Sequence, residues 1–186
     1  MKRDIPRSLA AIEQLVARGQ TRPPARVDVY QDSKNWAMQG PVTEVPTANG
    51  DDPLALDRML RLRRIFTKGV AWERYYEIRN LDSPLLDLLN VRYLVSYAPS
   101  EEMAIRHPKF PKAADLPGRH AFENRGVLPR FFLVGDVICV SGADDAFDKS
   151  GAPHFNPRRI AYVEPPCPEP APRQAGGTVR VAGYGL

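Results

Sequence analysis

The chain has few of the residues that build common catalytic or metal centres. Its 186 residues include two cysteines and three histidines, and neither type is spaced like a zinc ligand set. The glycine-rich phosphate-binding loop, the nucleophile elbow of serine hydrolases and the helical zinc-protease motif are all missing. The sequence therefore predicts no catalytic residue, no metal site and no cofactor.

Long hydrophobic runs are missing as well. The longest apolar stretches, 85–89 and 131–134, are much shorter than the roughly 18 residues that a membrane span needs. The basic start of the chain is interrupted by Asp4 and Glu13, which disfavours a signal peptide. We expect a soluble chain that has no targeting signal of its own.

The two cysteines do not determine the cellular compartment of the protein. Cys139 and Cys167 could form one disulfide in an oxidising compartment. The sequence favours two unpaired thiols, because no cysteine framework surrounds them.

Composition and charge are those of an ordinary globular protein with extra proline. Apolar residues make up 43% and charged residues 26%, with 19 prolines and a net charge of +4. This mild basic charge permits an anionic partner. The Lys and Arg residues lack the dense clustering of a dedicated nucleic-acid binder, so a nucleic-acid partner is disfavoured.

The pattern of elements predicts a mixed α+β fold with five or six strands and a few short helices. Proline, capping residues and helical spacing predict helices over 4–19, 51–68 and 81–90, and one helical turn over 142–150. In the third helix, Ser83 is the predicted cap, Pro84 the first residue and Asn90 a left-handed stop. Alternating or β-branched runs predict strands at 26–30 and 91–97, a strand followed by a turn over 120–126, and strands at 129–140, 158–164 and from 178. Gly135 is a predicted bulge or break in the run 129–140. The segments 31–50 and 98–118 are predicted loops.

Three segments follow from this pattern. Residues 1–164 form a soluble mixed α+β domain, and 165–177 form a proline-rich linker. Residues 178–186 are then the first strand of a missing or incomplete β domain, or a last strand that pairs with the main sheet.

Candidate binding residues lie on one predicted helix and in one predicted loop. The helix at 52–68 presents five cations, which are Arg58, Arg61, Arg63, Arg64 and Lys68. They could meet phosphates or anionic lipid headgroups, but a solvated, carboxylate-paired face is the favoured interpretation. Trp36 could stack on a ligand, although a position covering the core is favoured. Single-stranded nucleic acid could stack on the aromatic run at 72–76, but core packing is favoured there. The binding candidates are Trp36, Arg58, Arg61, Arg64 and Lys68.

Three stretches together resemble one family. They are NGDDPLALDRML (49–60), SPLLDLLNVRYLV (83–95) and FENRGVLPRFFLVGDV (122–137), the last followed by FNPRRIAYVE (155–164). In this order they resemble the extracytoplasmic region of YfhO-like bacterial membrane proteins, which are similar to the GT-C class of glycosyltransferases. The same stretches are also explained by folding alone, as caps, an apolar helix face and buried strands.

The resemblance implies a domain that assists sugar transfer from a lipid-linked donor to a cell-envelope polymer. Family members place membrane spans before this region and a β-rich domain after it, so the chain is expected to be a fragment whose partner is the membrane-spanning part of the same parent. The catalytic carboxylate is expected between early spans, so no catalytic residue transfers to this chain.

Two other hypotheses stay open. One is a free-standing binding module for an anionic partner, such as a polyanionic glycan, a membrane surface or single-stranded nucleic acid. The other is a small hydrolase whose site is assembled from dispersed residues, which no specific pattern in the sequence supports.

Overall fold

The computed structural model describes residues 7–19, 23–30, 45–48, 56–68, 77–97, 105–168 and 177–182. Within these ranges the fold is mixed α+β, which confirms the predicted class. The elements in chain order are α1 (Arg7–Arg18), β1 (Arg26–Tyr30), α2 (Asp57–Arg64), β2 (Thr67–Lys68), β3 (Glu77–Ile78), α3 (Pro84–Leu88), β4 (Val91–Tyr97), β5 (Lys112–Leu116), β6 (Arg119–Glu123), β7 (Asp136–Cys139), α4 (Ala143–Gly151) and β8 (Ile160–Val163).

A four-stranded mixed sheet organises the fold, in the order β1-β4-β6-β5. β1 runs parallel to β4, and β4, β6 and β5 pair antiparallel. The other described strands form two small sheets, β2 with antiparallel β3 and β7 with parallel β8. The described residues form eight strands rather than the predicted five or six, and these are divided among three sheets, of which the β2–β3 pair was not predicted.

The core has one cluster on each face of the main sheet. Alternate residues of a strand point to opposite faces, so Val95 faces α1, where Ile12 is fully buried, while Leu94 faces the other side. The second cluster holds the larger side chains, including Phe66 and Phe110.

The junction from α3 to β4 forms as the sequence predicts. The Ser83 hydroxyl caps α3 by accepting a hydrogen bond from the Leu85 amide at 3.3 Å, which satisfies a free amide of the first turn. Asn90 ends the turn with a φ of 58°, a conformation that asparagine tolerates better than most residues. The chain then enters the buried strand β4 directly.

Two strand predictions were wrong. Residues 98–118 were predicted as a loop, but 112–116 form β5. Gly118, at φ 69°, and Pro117 make a two-residue turn that folds β5 onto β6. The run 129–140 was predicted as a long strand, but only 136–139 pair, after the break predicted at Gly135.

Two elements in the later part of the chain also differ from the prediction. α4 has nine residues rather than one turn. A strand was predicted from 178, but residues 178–182 belong to no strand. The boundaries proposed at 164 and 177 stay a prediction.

No helix in the described ranges is long and apolar enough to cross a membrane.

The prediction of two unpaired thiols was wrong. Cys139, at the end of β7, and Cys167, four residues beyond the end of β8, form a disulfide with a Cα–Cα distance of 5.9 Å. The parallel pairing of β7 with β8 places Cys139 opposite Val163, so the chain needs only a short turn to bring Cys167 back. Sequence spacing alone could not show this return.

Candidate functional site

The cations predicted on the second helix contact different partners. Arg58 binds both carboxylate oxygens of Glu164, at 2.5 and 2.9 Å, and the hydrogen bond to Glu164 raises the pKa of this guanidinium. Arg61 pairs with Asp144 and lies 4.4 Å from the centre of the Phe147 ring. Two of the candidate binding residues are therefore held by side chains of the chain itself.

The remaining candidates are either exposed or outside the described residues. Arg64 and Lys68 are exposed, and no ion pair involves either of them within the described ranges. Trp36 and the aromatic run at 72–76 lie outside those ranges, so their predicted roles stay predictions. The helix was predicted to extend to 68, but it ends at Arg64, and Lys68 lies in β2. The two exposed cations are therefore on different elements and do not form a continuous basic patch on one helix.

Arg63, on the same helix, has a structural role. Its guanidinium lies 2.8 Å from Asp28 Oδ2 on β1 and donates to the Ala48 carbonyl, also at 2.8 Å. Both side chains are almost fully buried. A buried charge is tolerated only when it is paired and hydrogen-bonded, so this pair fixes α2 against the sheet.

A cleft of about 340 Å³ opens between the segment 105–112 and strand β6. Four side chains that are or can become cationic line it, over a buried aromatic floor. They are Arg106, His107, Lys112 and His120, with Phe110 and Phe122 beneath them. Two of the three histidines, which look scattered in the sequence, therefore meet in one cleft.

His107 is oriented by two neighbours. Its Nδ1 accepts a hydrogen bond from the Lys109 amide at 3.3 Å, so the neutral ring carries its proton on Nε2. That nitrogen lies 3.0 Å from Asp82 Oδ1. The Asp82 carboxylate can therefore accept a hydrogen bond from this N–H group.

His120 has a comparable arrangement across the β5–β6 pair. Asp115 lies directly opposite it, and the His120 Nδ1 is 2.6 Å from Asp115 Oδ1. Lys112 also contacts this carboxylate, at 2.5 Å. The pKa of Asp115 is lowered by the hydrogen bond from Lys112 and, to a smaller extent, by the one from His120.

A serine completes a polar row on the same face of the sheet. Ser96 lies opposite His120 on β4, and opposed residues of an antiparallel pair share a face. Serine, histidine and aspartate are the side chains of a nucleophilic triad. Here the Ser96 hydroxyl is fully buried and has no hydrogen-bond partner among the described residues, so His120 does not activate it in this conformation.

Exposed apolar side chains form a separate strip. The described residues include six such side chains on the stretches 131–138 and 179–181, which are Phe131, Leu133, Val137, Ile138, Val179 and Val181. Phe131, Val179 and Val181 also border a cavity of about 490 Å³. Gly177 lies directly against Leu133, so the segment 177–182 runs beside this strip.

The described residues contain no group of three or more histidine, cysteine, aspartate or glutamate side chains that could hold a metal ion.

The cleft was missed by sequence reasoning because its residues come together only in the folded chain. One signal was present, because Pro117-Gly118 is a typical turn dipeptide. A two-residue turn there pairs 112–116 with 119–123 and sets Asp115 opposite His120. The packing of 105–111 against this hairpin has no comparable signal.

Comparison of the chain with protein-family models, curated proteins and solved structures finds no match.

Proposed function

We propose that the chain is an extracytoplasmic domain of a YfhO-like membrane protein. In this role it has no catalytic residue of its own and assists sugar transfer from a lipid-linked donor to a cell-envelope polymer. Its partner is the membrane-spanning part of the same parent protein, with an envelope glycan or anionic lipid as a further ligand. A GT-C-like active site belongs to that partner.

The disulfide between Cys139 and Cys167 supports this placement most directly. Structural disulfides persist in oxidising compartments and are rare in the reducing cytosol. The bridge joins the end of β7 to the chain beyond β8, and so it adds a covalent link to this two-stranded sheet. A protein that depends on this bridge is suited to the outer side of a membrane.

The stretches behind the family resemblance also pack together. Asn124, from the third stretch, donates to Asp87 Oδ1 at 2.8 Å and to the Val91 carbonyl at 2.9 Å. Asn90 donates to the Leu128 carbonyl at 2.6 Å. These buried hydrogen bonds explain why these residue types occur together, and they support a shared fold rather than a shared site.

The apolar strip at 131–138 and 179–181 is the surface that this proposal assigns to the rest of the parent protein. Contiguous exposed apolar patches mark interaction sites on otherwise soluble proteins. The strip includes Val137 and Ile138 of β7, the strand whose last residue, Cys139, forms the disulfide.

Placement can be tested in spheroplasts of the native cells. A protease that cannot cross the membrane should digest the chain, while a cytoplasmic marker survives in the same sample. Digestion of both proteins only after lysis would contradict an extracytoplasmic position. A detergent-lysed sample serves as the control for protease sensitivity.

The role in sugar transfer needs a separate experiment. Deletion of the coding region should reduce the sugar content of an envelope polymer without shortening the polymer, and a plasmid copy of the whole parent should restore it. Unchanged decoration in the deletion strain would remove the glycosyl part of the proposal, whatever the location of the chain.

The alternative is a free-standing binding module for an anionic partner. It is favoured by the exposed Arg64 on α2 and the exposed Lys68 on β2. Retention on heparin should then fall steeply with salt, and Arg64→Ala with Lys68→Ala should reduce it. Arg58→Ala is the matched control, because Glu164 already occupies that side chain.

A further inference from the structure

The outer edge of β7 carries backbone hydrogen-bonding groups that the described fold leaves unpaired. On the inner edge, the Asp136 amide donates to the Arg159 carbonyl of the β8 side at 2.8 Å. Every second residue of β7 faces β8 in this parallel ladder, so the N–H and C=O groups of Val137 and Cys139 point to the opposite edge. Neither of these amides has a hydrogen-bond partner among the residues that the structure describes.

Both faces of β7 are uncovered as well. Val137 and Ile138 are consecutive, so their side chains point to opposite faces of the strand, and they are 53% and 40% exposed. Cys139 is exposed beside them. Strands of parallel sheets are normally covered on both faces, and two strands alone make a sheet of marginal stability. The β7–β8 pair therefore has the properties of an incomplete sheet that is open at β7.

We propose that the outer edge of β7 binds one extended strand, contributed by the remainder of the parent protein, through main-chain hydrogen bonds. An unpaired strand edge is a template for a further strand, and the addition of an extended segment to a sheet edge is a recurring mode of peptide recognition. The added strand needs apolar side chains on both of its faces, because Val137 and Ile138 present apolar groups on both.

The short length of β7 favours a tethered strand over a separate partner. β7 spans four residues, Asp136–Cys139, so a second copy or a free peptide would gain few hydrogen bonds and much less than the roughly 800 Å² per partner of a stable complex. A segment of the same polypeptide acts at an effective concentration of about 1 mM, at which a weak contact is occupied. This choice of partner rests on the proposed function, whereas the strand-binding edge does not.

Amide hydrogen exchange in the purified chain tests the edge without any partner. The amides of Val137 and Cys139 should exchange quickly, because they face outward. The amides of Ile138 and Val140 should exchange more slowly, because they donate to β8, and they serve as the control within the same strand. Equal protection of all four amides would overturn the proposal, since the outer edge would then already be paired.

The binding probe is an end-blocked heptapeptide, Lys-Thr-Val-Ile-Val-Thr-Lys, titrated into the labelled chain by NMR. Its central residues are apolar on both faces. We expect a Kd of about 1 mM, the range in which a tethered segment is bound. At a peptide concentration about ten times the Kd, the Val137 and Cys139 amides should exchange about tenfold more slowly, because only the unbound fraction exchanges. No binding, or binding without protection of these two amides, would overturn the proposal.

The matched control is the same heptapeptide with its three central amides N-methylated. It keeps every side chain but loses the donors, and its methyl groups obstruct the approach of a second strand. It should leave the exchange of the Val137 and Cys139 amides unchanged. Protection equal to that given by the unmethylated peptide would refute main-chain pairing. This comparison uses the wild-type chain, so it does not depend on how a variant folds.

Two variants at one position locate the contact. Val137→Pro removes an outward N–H group, and proline is tolerated in an edge strand where the missing amide faces solvent. It should abolish peptide binding while the melting temperature stays close to that of the wild type. Val137→Thr keeps the amide and the β-branched shape, so it should bind the peptide as the wild type does. Equal binding by the two variants would contradict the assignment of this edge.

Sedimentation velocity of the purified chain tests the competing occupant. We expect a monomer of 20.8 kDa. A dimer that Val137→Pro dissociates would assign the edge to a second copy and overturn the proposal. These measurements use purified protein, so their failure is distinct from a failure of the cellular tests. Peptide binding by a chain that proves to be cytoplasmic would contradict the proposed function and the parent protein as partner, but not the strand-binding edge.

Discussion

Replacement of Asp28 by alanine should be among the most destabilising single changes in the described part of the chain. Its carboxylate accepts hydrogen bonds from Arg63 at 2.8 and 3.4 Å and from the Val29 amide at 2.8 Å. Without it, the buried guanidinium retains the Ala48 carbonyl, and the Arg63 Nε is already without a partner.

The expected cost follows from this loss of partners. Breaking a buried ion pair by removing one member typically costs about 3 to 5 kcal/mol, because an uncompensated charge remains. A chain of this size is stable by roughly 5 to 15 kcal/mol. Asp28→Ala should therefore lower the melting temperature by about 6 to 20 °C, at roughly 2 to 4 °C per kcal/mol.

A double-mutant cycle by urea denaturation measures the pair directly. Asp28→Leu combined with Arg63→Met replaces both charges with apolar side chains, and it should recover most of the loss seen in either single variant. Glu164→Ala is the control, because its partner Arg58 is exposed and such pairs contribute roughly 0 to 1 kcal/mol.

Two results would refute this reasoning. One is a cost below about 1 kcal/mol for Asp28→Ala, which would mean that water reaches the guanidinium. The other is a double variant whose cost equals the sum of the two single costs, which would mean that the side chains do not interact.

Three further predictions concern the disulfide, one helix and the buried serine. Replacing Cys139 and Cys167, 28 positions apart, by serine should cost about 3 to 4 kcal/mol by the loop-entropy estimate, measured by urea denaturation without reductant. An unchanged midpoint would show that the bridge does not stabilise the fold. Hydrogen bonds from Lys149 and then from Ser141 lower the pKa of Asp145 in α4. The wild type should therefore be more stable than Asp145→Asn at pH 7, and the difference should disappear as the pH falls below the ordinary carboxyl value of 3.8; a constant difference down to pH 2 would contradict this sign. A fluorophosphonate probe should not label the native chain, since the Ser96 hydroxyl is buried. Labelling that Ser96→Ala abolishes would instead establish a nucleophile.

The sequence predicted those elements that are specified by local chemistry. Ser83 and Pro84 start α3, and Asn90 ends the turn before β4, because capping and left-handed backbone depend on residues close in the chain. The first helix was predicted for the same reason, from the helical spacing of Leu9, Ile12 and Val16.

The errors occurred where distant parts of the chain decide the structure. The β5 sequence KAADL has little strand propensity and becomes a strand because the turn at 117–118 pairs it with β6. Residues 129–135 have strong strand propensity but no partner strand in the described structure.

Contacts between distant parts of the chain also decide which candidate site residues are available to a ligand. Arg63 was predicted as part of a basic helix face, but Asp28, 35 residues earlier, turns it into a buried ion pair. Arg58 and Arg61 meet carboxylates 106 and 83 residues away. No local pattern reports such partners, so a list of cations from sequence overstates how many can bind a ligand.

The most direct measurement for the proposed function is an immunoblot of fractionated native cells, alkylated before lysis and run without reductant. We predict a membrane-bound band several times larger than 20.8 kDa, in which Cys139 and Cys167 resist alkylation until they are reduced. A soluble band near 20.8 kDa with both thiols alkylated would contradict the account.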